Sequence, residues 1–68
     1  MKILSGKEFE RLLKSRGWQL VRIHGSHHVY MKENNPARIS LPIHGNKSLK
    51  IGLQKHLMKL AEIQESDL

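Results

Sequence analysis

Between Trp18 and Pro42 the chain repeats one pattern three times: WQLVRI, HHVYMK and ARISLP each alternate side chains with a strand-like period of two. Only HGS separates the first two, and only ENNP the second and third. Connections that short join antiparallel neighbours, because a parallel pair needs a crossover of a dozen or more residues. Gly25 and Ser26 supply turn chemistry in the first connection. In the second, Pro36 fixes its own backbone and Asn34 and Asn35 can bond locally. Pro42 ends or edges the third strand.

A helix is predicted on each side of this meander. Ser5 and Glu8 have the Ser-x-x-Glu spacing of a capping box, and Gly17 suits a left-handed C-cap, which frames a first helix of about ten residues. Phe9, Leu12 and Leu13 form its apolar stripe, with Lys7, Glu10, Arg11 and Lys14 facing away. After the loop IHGNK, Ser48 is predicted to cap a second helix over LKIGLQKHLMKLA, where Leu49, Leu53, Leu57 and Leu60 recur at helical spacing. Gly52 costs that helix about 1 kcal/mol against Ala, so its first turn is the weakest.

The expected fold is therefore α+β, in the order α-β-β-β-α, with a three-stranded antiparallel sheet and both helices on one face. Val21, Ile23, Val29, Met31, Ile39 and Leu41 are expected to face the helices. Arg22, His28, Tyr30, Lys32, Arg38 and Ser40 would then line the open face.

At 68 residues the chain reads as one domain, 1–68, near the size at which one core only just offsets the entropy of ordering, and it leaves no room for a deep cleft. Without cysteine it has neither disulfides nor a thiolate zinc site. No apolar run approaches a membrane span and the N-terminus lacks a signal-peptide core, so a complete soluble cytoplasmic protein, with no membrane partner, is expected. Twelve Lys and Arg against six acids give a net charge of +6 and a pI near 10.1. Half of the acids lie in a C-terminal tail at about 62–68, so residues 1–61 carry +9. A basic body of this kind suggests a polyanion such as nucleic acid; a solvated surface that aids solubility is the plain alternative. Phe9, Trp18 and Tyr30 are too few for a base-stacking platform.

HGSHHVYMK concentrates three of the five histidines. A zinc site from His24, His27, His28 and His44 is disfavoured, because adjacent strand residues point to opposite faces and no Cys, Asp or Glu lies nearby to complete the shell. No metal or other cofactor is expected. His24 and His56 read as ordinary surface rings, the latter within a helix. His27, His28 and His44 differ in lying beside a Gly-Ser turn and a basic face. RNA carries its own nucleophile in the 2′-hydroxyl, so cleavage needs a group to take that proton, another to protonate the departing 5′-oxygen, and cations for the phosphate. Imidazole can make either transfer near neutral pH.

GWQLVRIHGSHHVYMKE followed by RISLPIHGNKSLKIGLQKHLMKLA resembles the HicA toxin family, the small mRNA interferases of HicAB toxin–antitoxin pairs. The resemblance runs from about Ser5 to Ala61. Its most specific elements are Gly17-Trp18 at the end of the first helix, Gly25-Ser26-His27, and Pro42-x-His44. It implies a double-stranded-RNA-binding-domain-like fold, metal-independent cleavage of mRNA that arrests translation and growth, and a HicB antitoxin partner, for which an acidic protein would suit the basic body. The family's catalytic histidine maps onto His27. The strand alternation instead sets His28 on the open face, so His27 stands first and His28 second.

Two functions follow from these residues. In the first, the chain is a ribonuclease toxin with His27 as general acid or base and Arg22, Ser26, Tyr30, Lys32, Arg38 and His44 contacting RNA. In the second, it is a non-catalytic RNA-binding module using the same face by shape and charge.

Overall fold

The computed structural model describes residues 1–68 and has the expected order: α1 (Gly6–Ser15), β1 (Gln19–His24), β2 (His27–Lys32), β3 (Asn35–Pro42) and α2 (Ile51–Ala61), followed by a 3-10 turn at Glu65–Asp67. The strands form one antiparallel sheet in the order β1-β2-β3. Both helices pack on one of its faces, where Phe9 and Leu13 of α1 and Leu57, Met58 and Ala61 of α2 meet Tyr30, Ile39 and Leu41 in a single core. No helix is long and apolar enough to cross a membrane.

α1 begins and ends as its sequence dictates. The Ser5 N–H donates to Glu8 Oε1 (2.8 Å) and the Glu8 N–H to Ser5 Oγ (3.1 Å), closing the capping box. These bonds hold the Glu8 carboxyl below its usual range, the Ser5 backbone N–H contributing most. At the other end Gly17 takes φ 91°, the Trp18 N–H reaches the Leu13 carbonyl (3.0 Å) and the Gly17 N–H that of Lys14 (3.2 Å). That Schellman closure drives Trp18 onto Leu13, and both are buried.

The start of α2 differs from the sequence-based expectation. Ser48 does not cap it: Ser48 forms a bridge to Ser5, and the Leu49 N–H donates to the Leu4 carbonyl (2.8 Å), so these residues are extended. The helix starts at Ile51, with Lys50 as an N-cap that offers no side-chain bond. Its inward face comprises Gln54, Leu57, Met58 and Ala61, flanked by Leu53 and Leu60. Gln54 is buried because it is satisfied: Oε1 accepts from the Leu4 N–H (2.8 Å) and Nε2 donates to the Lys2 carbonyl (2.7 Å).

The acidic tail folds back on the helical side. Ile63 is buried, Leu68 packs against the core, and Asp67 pairs with Arg16 at 2.9 Å. The Arg16 guanidinium, followed by the Gln64 N–H, holds the Asp67 carboxyl below its ordinary value.

The faces of the sheet correct the expectation on β2. Ile39 and Leu41 face the helices as expected, and Arg22, Arg38 and Ser40 do not. Along β2, however, the phase is reversed. Tyr30 pairs with Ile39 and His28 with Leu41, so His28, Tyr30 and Lys32 lie on the helical side. Val29 pairs with Arg22 and Ser40, and it shares the open face with His27 and Met31. On β1 a bulge between Leu20 and Arg22 breaks the alternation. Val21 and Ile23, expected in the core, are 54% and 57% exposed on this edge strand.

Gly6 marks where α1 meets the end of β3. A Cβ there would lie 2.6 Å from the Pro42 carbonyl oxygen and 3.1 Å from Ile43 Cα, both backbone atoms that cannot swing aside. Ala favours helix by up to about 1 kcal/mol over Gly. Overpacking costs about 1–3 kcal/mol and opposes it. Gly6→Ala is therefore expected to lower the urea midpoint, and an unchanged or raised midpoint would contradict this close approach.

Candidate active site

The β1–β2 connection has two residues, Gly25 and Ser26, and of these only Gly25 has positive φ (61°), the pattern of a turn with glycine first. Its shortness fixes what stands beside it: His24 and His27 are direct partners across the ladder, and His27 also faces Pro42 on β3. The Ser26 carbonyl accepts from the Ile43 N–H (2.8 Å), tying the turn to the chain as it leaves β3. His24 and His27 are both exposed. One row along the same open face lie Arg22, Val29 and Ser40, with Arg38 beyond them on β3. Alternation rightly groups His27 with Val29 and Met31, but that set faces solvent, together with Arg22 and Arg38.

His24, expected as an ordinary surface ring, is exposed and stands directly across from His27. HGSH encodes that pairing, because a two-residue hairpin places its flanking residues opposite each other, about 4.5–5.5 Å apart at Cβ.

His28, Tyr30 and Lys32 are elsewhere, and Glu10 explains why. Expected to face away from the sheet, Glu10 instead accepts a hydrogen bond from the Tyr30 hydroxyl, with Lys14 Nζ 4.0 Å from the same carboxylate. This partner lets the phenol be buried completely. His28 Nδ1 is 3.5 Å from Glu10 Oε2, an ion-pair distance longer than a well-formed hydrogen bond. Lys32 lies along the end of α1, its Cε 3.5 Å from where a Gly17 side chain would begin. These residues join α1 to β2 beneath the His27 surface.

Burial, then the Glu10 hydrogen bond and the Glu10 charge, push the Tyr30 hydroxyl well above the usual phenol value. A folded-state value raised in this way contributes stability that is full below about pH 10, the unfolded value, and is lost as pH rises toward the folded one. Thermal melts from pH 8 to 11 should therefore show an alkaline loss that is smaller in Tyr30→Phe. Equal alkaline slopes in the two proteins would contradict the assigned environment of the hydroxyl.

His44 is exposed in the segment after β3 and borders a cavity of about 380 Å³ with Pro42, Lys47 and Lys50. Ser26 is half-buried in its turn, and His56 is exposed on α2. Phe9, Trp18 and Tyr30 are all essentially buried, which leaves no aromatic ring for a base to stack on. The arrangement is an open surface carrying imidazoles and guanidinium groups. It suits recognition of a phosphate backbone followed by proton transfer.

Residues 6–63 match the family model described as the HicA toxin of bacterial toxin–antitoxin systems. No curated protein matches the chain significantly. The match spans both helices, all three strands and the His27 turn. The chain thus belongs to the HicA toxin family.

Proposed function

We propose that this toxin is a metal-independent endoribonuclease that cleaves mRNA, with His27 as general acid or base. The observation that carries this reading is an exposed His27, fixed by a two-residue turn, on the sheet face that also bears Arg22 and Arg38. In the reaction the RNA 2′-oxygen attacks the adjacent phosphorus as a base takes its proton. The bond to the 5′-oxygen breaks as an acid protonates it, leaving a 2′,3′-cyclic phosphate and a 5′-hydroxyl. His27 performs one of these transfers. Arg22 and Arg38 bind backbone phosphates, Ser26 orients the strand at the turn, and His44 contacts RNA or makes the second transfer. Burial of all three aromatics favours recognition through the backbone over base stacking.

The partner is a HicB-like antitoxin with an acidic surface that covers the same basic face. Induced expression in cells tests this reading: growth should stop, mRNA should shorten, and co-expression of such an antitoxin should restore both. Arrest with intact mRNA would favour the non-catalytic RNA-binding module.

A further inference from the structure

The cavity beside β3 lies outside the His27–Arg22 surface but adjoins it. Pro42 belongs to both, as the ladder partner of His27 and as one wall of the cavity. Of the remaining lining, His44, Lys47 and Lys50 supply imidazole and ammonium groups, Ser48 a hydroxyl, and Leu53 an apolar surface. No acidic residue borders it. At about 380 Å³ it falls within the range of about 300–1,000 Å³ typical of small-molecule sites. The first turn of α2 opens beside it without an acidic residue or a side-chain cap.

From this combination we infer that the cavity is a nucleotide subsite, holding a nucleotide of the RNA strand that flanks the scissile phosphate at His27. The inference rests on the RNA-directed reading above and adds where the strand continues. A phosphate sits among Lys47, Lys50 and His44, three cationic or protonatable side chains that border one cavity without a competing carboxylate. The sugar and base lie on Pro42 and Leu53, an apolar floor that takes the place of an aromatic platform. The bridge of Ser48 to Ser5 and the bond from Leu49 to Leu4 hold the segment that presents these lysines. Residues 48–50, extended by that pairing, form one wall of the cavity.

The test separates this subsite from catalysis by using His27→Ala. Isotope-labelled His27→Ala protein is titrated with adenosine 5′-monophosphate and, separately, with inorganic phosphate, following backbone amide shifts. Saturable shifts at Lys47 to Leu53, tighter for the nucleotide than for phosphate, are expected. Equal affinity for the two would overturn the nucleotide assignment and leave a simple anion spot. Shifts confined to the Arg22 and Arg38 face, or none, would overturn the subsite. In the second arm, Lys47→Ala/Lys50→Ala, verified as folded by circular dichroism, binds single-stranded RNA. The slope of log affinity against log salt should fall by about 0.7, the value for one lost phosphate contact on a single strand. An unchanged slope would contradict the inference. If wild type binds nucleotide here but never cuts RNA, the nuclease reading fails while the subsite stands.

Discussion

Replacing His27 with Ala is expected to abolish RNA cleavage and growth arrest while leaving the protein folded. A positioned general acid or base contributes about 10²–10⁴-fold to rate, so the residual activity should fall below ordinary detection. His27 is exposed and makes no side-chain hydrogen bond or ion pair in the structure, so little stability should be lost with it. RNA affinity should also persist, because Arg22 and Arg38 remain on the open face. The companion variant His28→Ala separates the two histidines. His28 lies on the helical side with Nδ1 buried near Glu10, and its loss should weaken the contact between α1 and β2 more than the chemistry. Cleavage retained in His27→Ala and lost in a folded His28→Ala would reverse the assignment.

The second large effect is on the fold. Trp18→Ala should remove most of the stability of the protein, because truncating a buried Trp costs about 3–5 kcal/mol. A single core in a chain of this length rarely supplies more than about 3–5 kcal/mol in total. Trp18 is 1% exposed and its backbone is held in the core by the Schellman closure of α1, so truncating the indole leaves a cavity there. Trp18→Phe is the informative control. The Nε1 group of Trp18 is buried without a partner, so replacing indole by phenyl loses volume but no hydrogen bond. Thermal unfolding followed by circular dichroism should show no cooperative transition for Trp18→Ala and a lowered but cooperative one for Trp18→Phe. A sharp transition for Trp18→Ala within a few degrees of wild type would contradict this view of the core. The prediction also bears on function: a tryptophan holding the helix end is not available to nucleic acid.

Local signals were legible wherever partners lie close in sequence. Ser5 and Glu8 announce the start of α1, Gly17 its end, and the short turns at Gly25–Ser26 and Asn34 dictate the meander. What could not be read depends on contacts between distant residues. The phase of β2 is set by Glu10, which comes from a helix 20 residues away and allows the Tyr30 hydroxyl to be buried, turning Val29 and Met31 outward. An apolar pattern alone favours the opposite phase, since it treats tyrosine and histidine as surface residues. The N-terminus of α2 failed for a similar reason. Ser48 is an adequate cap in isolation, but its backbone pairs with Ser5, a contact spanning most of the chain. Gln54 is buried only because Lys2 and Leu4 meet its amide. For the site, the resemblance at Gly25, Ser26 and His27 pointed to the histidine that the structure leaves exposed, whereas strand alternation pointed to His28, which lies half-buried beside Glu10.

In the proposed function, an open basic sheet face carrying His27 cuts RNA without a metal. Its most direct test is incubation of the folded wild-type protein with a single-stranded RNA oligonucleotide in EDTA, followed by analysis of the product ends. Cut strands bearing 2′,3′-cyclic phosphate and 5′-hydroxyl termini are expected. RNA that is bound but stays intact, or is cut only after a divalent cation is restored, would contradict it.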